Sequence, residues 1–266
     1  NRIEGKKKKL AVTMPVFVAA AKNIKTVASM QPMTNSFSLD DFSLGRFSLE
    51  HFDLLLFDLD GTLVDSASDI AAAIDATLTA REWPATGMER VRSWIGNGSR
   101  TLIERALNFA FPQHDAAMRE LVHSEFLLEY AKHNGPETRV FDGVSELLQH
   151  CKKIGKKMAC VTNKPEHLAV QLVSHLDMKQ FFEIVIGGDT FPQRKPDPTA
   201  LLFCCEKLGV APSRTLMIGD SETDVQSARA AKMKVLCVSY GYNHGGSVAS
   251  TNPDWLVDDL RVLMKS

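Results

Sequence analysis

Asp58 and Asp60 stand one residue apart at the end of the apolar run FDLLLF, and Gly61 and Thr62 follow them. Other polar groups come in the same way after other apolar runs. KMACV is followed by Thr162, Asn163 and Lys164, and TLMIG by Asp220 and Ser221 with Asp224 four positions on. EIVIGG is followed by Asp189 and then by Lys195 inside RKPDP. Singly, each Asp would read as a turn former or helix cap, and each Lys as a solvated charge. As a set they describe a site. Clustered carboxylates repel unless a cation joins them, and hard oxygen ligands in an open site suit Mg²⁺, which usually binds a phosphate as well. A Lys adds a point charge for phosphate, and a Thr hydroxyl can bond another of its oxygens. The chemistry implied is phosphoryl transfer, with one Asp free to act as nucleophile.

Such a set needs elements that carry it to one place. The apolar runs are short and unbroken, as in parallel strands buried on both faces. From Phe141 onward they alternate with helical patterns, which implies βαβ units. Expected helices run through Val144 to Cys151, stopped by Gly155, then from Pro165 through Leu176, through Leu201 to Gly209, and through Val225 and Ala228. Residues 66–134 show helical patterns only. Ile70, Ile74 and Leu78 share a face, Ser66 with Asp69 resembles a capping box, Ser99 after IGNG is placed to cap a second helix, and a third runs from Asp115 to about His133. The expected fold is α/β, a doubly wound parallel, Rossmann-like sheet (residues 51–65 and 141–266) interrupted after its first strand by a small helical cap domain (66–140). In open parallel sheets ligands bind outside the carboxyl ends of the strands, where the polar groups fall.

Residues 1–50 are expected to be a flexible extension. Phe recurs there every five residues, at 37, 42 and 47, and again at 52 and 57. Five steps alternate faces on a strand and drift by about 140° on a helix, so no single straight element could bury all five. Lys6 to Lys9, the run LAVTMPVFV and Ala19 to Ala21 imitate a secretory leader, but nothing downstream looks secreted, and a disordered leader is expected. The net charge of -1 predicts no nucleic-acid partner, and no apolar run reaches the roughly 20 residues of a membrane span. Five Cys without a CxxC pair suggest a reduced, cytoplasmic compartment. No GxSxG, HExxH or Walker loop is present, and the eight His show no ligand spacing.

Taken in order, DLDGTLVD, VTNKP, RKPDP and GDSETD resemble the four motifs of the haloacid dehalogenase superfamily, over about residues 52–264. SWIGNGS, VIGGD and SYGYNHG are similar to stretches of its phosphoglycolate phosphatase branch. The resemblance implies Asp58 as nucleophile and Asp60 as general acid and base, with Thr162 on a phosphoryl oxygen and Lys195 offsetting the charge. It implies Mg²⁺ held by Asp58, Asp220 and the Asp60 carbonyl, with Asp224 and Ser221 behind them. Gly61, Thr62, Asn163, Lys164 and the cap residues Gly96, Asn97 and Gly98 are expected against the substrate; Arg92 or Arg100 could pair with a carboxylate, but the residues around IGNG read first as an inter-helix turn with surface arginines. The implied substrate is a small phosphomonoester, 2-phosphoglycolate first, taken by a monomer or homodimer. A phosphatase for pyrophosphate or a sugar phosphate, or a phosphomutase, is the alternative. An acid at position 60 sets the chain apart from relatives that cleave carbon–halogen or carbon–phosphorus bonds. A non-catalytic binding protein, or an interaction role for the N-terminal arm, are further alternatives.

Overall fold

The structure, a computed structural model, describes residues 47–265. The expectations for residues 1–46 (the leader, the arm, Phe37 and Phe42) lie outside them. Six strands form one parallel sheet: β1 (Leu54–Phe57), β4 (Lys157–Val161), β5 (Ile184–Ile186), β6 (Thr215–Gly219), β7 (Lys234–Val238) and β8 (Trp255–Val257). Their spatial order is β5-β4-β1-β6-β7-β8, so β1 is central, with Leu54 opposite Lys157 on one side and Thr215 on the other. The doubly wound fold read from the sequence is present. Along β1, Leu55 and Phe57 enter the core on one face and Leu54 and Leu56 that on the other, which is why this strand reads as unbroken apolar sequence. Truncating the fully buried Phe57 to Ala is worth about 3–5 kcal/mol.

The sheet is covered by α5 (Val144–Lys153), α6 (Glu166–His175), α7 (Thr199–Leu208) and α8 (Glu222–Ala230). Between β1 and α5 lies the cap: α1 (Ala67–Thr79), α2 (Met88–Arg92), α3 (Ser99–Ala110) and α4 (Ala116–His133), with its own apolar cluster around Ile74, Leu107 and Phe126. The chain enters and leaves it through an antiparallel pair, β2 (Val64–Asp65) and β3 (Arg139–Val140). This pair and β8 carry too few residues to show a period, and the sequence pattern missed them.

Three local expectations change. Phe47 and Leu49 are buried, Phe47 against Phe52 and Trp255 at ring-centroid distances of 6.1 and 5.1 Å. The packed body therefore reaches into the segment expected to be a tail. Phe47, Phe52 and Phe57 all find the core because a short 3-10 turn, Leu49–His51, lies between the first two and the third is on β1. No single straight element has to serve them. Ser66 and Asp69 form no capping box. Asp69 is buried and accepts from the N–H groups of Gly135, Glu137 and Thr138 and from the Thr138 hydroxyl, tying the start of α1 to the cap's exit. Ser99 does not cap α3 either; its hydroxyl meets His123 Nε2 at 2.9 Å. Asp115 does cap α4, accepting from the Met118 N–H.

Candidate active site

β1 ends at Phe57, and the next backbone N–H, that of Asp58, still bonds into the sheet at Ile218. The Asp58 carboxyl is thus held rigidly at the strand's carboxyl end. Its Oδ1 accepts from the Leu59 N–H at 2.7 Å and meets Lys195 Nζ at 2.9 Å. Among the described residues its Oδ2 has no hydrogen-bond partner. Lys195 is buried and bridges Asp58 to Asp224, 2.7 Å away. Asp224 sits in the first turn of α8 in a reciprocal capping box with Ser221; its Oδ2 accepts from the N–H groups of Asp220 and Ser221 and from the Ser221 hydroxyl. Asp220, just after β6, is held by the Thr62 hydroxyl at 3.1 Å and the Tyr242 N–H at 2.7 Å.

Carboxylate oxygens of Asp58, Asp220 and Asp224 all lie within 4.8 Å of one another, and all three residues are buried. Three carboxylates therefore crowd together, and the ammonium of Lys195 pairs with two of them. Burial pushes the Asp58 carboxyl up to about 7, against the opposing pull of Lys195. Burial, together with the charges of Asp224 and Asp58, pushes Asp220 up to about 8. Strain of this kind is what a hard divalent cation relieves, so the residues present fit Mg²⁺. Asp58 and Asp220 are placed to hold it. Both Asp224 oxygens are taken up by Lys195 and the loop, which leaves it a supporting role.

Across a narrow cavity of about 40 Å³ from this cluster lies the cap. Asp58 and Asp60 line one end, with Thr162, Asn163 and Lys164 beside them; Ile70, Ile95, Leu102, Phe126 and Tyr130 line the cap side. Asp60 accepts from the Ser66 hydroxyl at 2.5 Å and from Lys164 Nζ at 3.4 Å. The Lys164 ammonium, which burial biases toward the neutral form, also bonds the Tyr130 hydroxyl of α4. Thr162 Oγ1 accepts from the Lys164 N–H, which leaves its own proton free to donate. Asn163 Nδ2 bonds the carbonyls of Gly96 and Lys195, while its buried Oδ1 is unpartnered.

Several expected residues fall elsewhere. Thr62 is fully buried and serves Asp220, not the cavity. At Gly61 a Cβ would stand 2.4 Å from Asp220 Oδ2, so this glycine is there for close approach at φ +91°. Gly96 and Gly98 line the cavity, but the Asn97 side chain bonds Thr223 and Arg105. Neither arginine reaches the cavity. Arg92 pairs with Asp65 and covers the Tyr242 ring, and Arg100 pairs with Glu120 on the exposed surface. Asp189 caps α6 through the Glu166 N–H. The sequence reads Ser66 only as a helix cap and does not mark Tyr130 or Tyr242 as site residues, although Tyr242 lies in the stretch SYGYNHG.

A family model for haloacid dehalogenase-like hydrolases matches residues 55–238. The chain belongs to that family. Among its relatives, the phosphoglycolate phosphatase of Pseudomonas syringae pv. tomato is 46% identical over 209 residues, which are 77% of this chain and 76% of that one. Phosphoglycolate phosphatase 1 of Pseudomonas aeruginosa is 42% identical over 209 residues, with the same coverage. A crystal structure described as a predicted phosphoglycolate phosphatase from Haemophilus somnus superposes with a TM-score of 0.77 at 32% identity, covering 81% of this chain and 97% of that one. The family match spans β1 to β7, the strands that deliver Asp58, Thr162 and Asp220 to one edge. No helix among the described residues is long and apolar enough to cross a membrane.

Proposed function

We propose that this hydrolase is a phosphatase for a small phosphorylated acid, 2-phosphoglycolate first, and that Asp58 is its nucleophile. One observation carries the reading. Asp58 alone among the clustered carboxylates lines the cavity while one of its oxygens has no partner among the described residues, with Lys195 held against the other. Asp58 Oδ2 attacks phosphorus, the ester P–O bond breaks, and Asp60 gives its proton to the departing alkoxide oxygen. Asp60 then takes a proton from water, whose oxygen attacks the same phosphorus. The bond to Asp58 breaks, and glycolate and inorganic phosphate are the products. On the core side of the cavity Thr162 and Lys164 offer donors for the anionic oxygens of the substrate. Asp58 and Asp220 would hold Mg²⁺, which when bound supplies positive charge for the phosphoryl group.

The small size of the cavity favours a small substrate over a sugar phosphate, and the names of the relatives point to a small phosphorylated acid. Five free, buried thiols are in keeping with a reducing compartment such as the cytoplasm. Phosphate release from 2-phosphoglycolate, pyrophosphate, glucose 6-phosphate and glucose 1-phosphate, each with and without Mg²⁺, tests the reading. The expected result is Mg²⁺-dependent release with the highest kcat/KM on 2-phosphoglycolate. A higher kcat/KM on either sugar phosphate, or isomerisation of glucose 1-phosphate without phosphate release, would sink it.

A further inference from the structure

The start of α1 has N–H groups that no residue of the cap satisfies. Ser66, at the N-cap position, turns its hydroxyl to Asp60, and the linker offers the first turn only Asp65 Oδ1, at a long 3.4 Å from the Ala67 N–H. The acceptor comes from the core. Tyr242 Oη accepts from the Ser66 N–H at 2.9 Å and the Ala67 N–H at 3.2 Å, and donates to Asp65 Oδ1 at 2.7 Å. The same residue's backbone N–H donates to Asp220 Oδ2. Its ring is buried, lies against Gly61 and is covered by the Arg92 guanidinium 4.8 Å from the centroid. Two residues earlier, Tyr240 donates to the Thr62 carbonyl and packs its ring, tilted, against Phe141 beside β3. The loop after β7 thus grips both ends of the cap linker and Asp220 together.

We propose that Tyr242 is a positioning residue, a pin through the cap hinge whose phenol sets the seat of the cap against the same loop whose backbone N–H holds Asp220. With the phenol in place, Asp65 and the first turn of α1 cannot swing without pulling on the residue that orients Asp220. This rests on the phosphatase reading only for its kinetic consequence; the pinning of the linker is a property of the fold. Removing the hydroxyl in Tyr242→Phe keeps the ring and the N–H to Asp220 but strands the Ser66 amide, leaves Ala67 only its long contact to Asp65, and takes the phenol from Asp65.

The test uses the full chain. Amide exchange followed by NMR is expected to speed up in Tyr242→Phe, about tenfold or more at Ser66 as its acceptor is lost and by less at Ala67. On 2-phosphoglycolate, which the seated cap encloses, kcat/KM is expected to fall about tenfold or more. On p-nitrophenyl phosphate, whose bulky leaving group gains little from a seated cap, the loss is expected to stay within about threefold. A merely structural role would lower both rates alike. Equal losses on the two substrates, or unchanged exchange at Ser66, overturn the proposal. Asp65→Ala breaks the same contact from the exposed side and should show both effects with smaller size; if Tyr242→Phe does not fold, Asp65→Ala decides. Should the wild type hydrolyse neither substrate, the functional reading fails while the exchange rates still decide the pin.

Discussion

The two sides of the cavity are built on different principles. On the core side Asp58, Lys195, Asp220 and Asp224 come from three separate loops, yet nearly every polar atom has a partner, and all four are buried. On the cap side the lining is apolar, apart from Ser99, the Tyr130 hydroxyl and the backbone of Gly96 and Gly98. The charges of the cap are spent elsewhere, Arg92 on Asp65 and Arg100 on Glu120. Charge fixed on a rigid sheet edge does not have to reorganise during reaction. A cap that supplies shape and dryness can select a substrate without disturbing that charge. Chemistry is therefore expected to be brittle to substitution on the core side, and specificity to be tunable on the other.

The sharpest way to break this division is Asp58→Asn. The change is isosteric and removes the nucleophile, so kcat is expected to fall about 10⁴-fold or more, with the melting temperature no lower than that of the wild type. Near-normal turnover in the purified variant would end the proposed mechanism. Lys195→Met tests the charge balance itself. It leaves Asp58 and Asp224 buried without their shared cation, and breaking such a pair typically costs about 3–5 kcal/mol. Denaturant unfolding should show the loss, larger at pH 8 than at pH 5.5, because Asp58 takes up a proton at the lower pH.

The raised carboxylates set a third test. Asp58 and Asp220 bind protons more tightly folded than unfolded, having moved up from 3.8 to about 7 and about 8. Their contribution to stability is full below 3.8 and is lost as pH rises through 7 and 8. In chelator, the melting temperature should fall over that window, and added Mg²⁺ should raise it by roughly 5 °C at pH 8 and by less at pH 5.5. An equal rise at both pH values would separate the metal from these two groups. The smallest effects belong to the cap. A Cβ on Gly96 would stand 2.8 Å from His244 Cε1 at φ +117°, so Gly96→Ala should raise KM about tenfold and change kcat less. Arg100→Ala should leave kcat/KM within about threefold, since its exposed pair is worth little. A large KM effect there would put a charged specificity element back on the cap.

The core side was the more legible of the two, and Asp58 shows why. A strand buried on both faces is an unbroken apolar run, and its end is marked by the first polar residues. Asp58, Thr162 and Asp220 could therefore be placed at one edge from the pattern of runs, with Lys195 added by its own motif. Thr62 shows the limit of that reading. It sits among catalytic residues in sequence, but its hydroxyl turns toward Asp220 and away from the cavity. On the cap, Arg92 and Arg100 flank IGNG in sequence, yet helix geometry carries them to different neighbours. Tyr130 is 34 residues from its Lys164 partner, and nothing local to α4 signals that meeting.

The sequence by itself determined the alternation of strands and helices, the insertion point of the cap and the order of the chemical groups along the sheet edge. These follow from periodicity and from which residue types can be buried, both properties of a short stretch of chain. The tertiary structure alone decided which carboxylate keeps a free oxygen, which hydroxyl caps α1, and where the arginines of the cap point. Each of those depends on a partner 20 or more residues away, such as Lys195 for Asp58, Tyr242 for Ser66 or Glu120 for Arg100, and such partners come together only when elements pack.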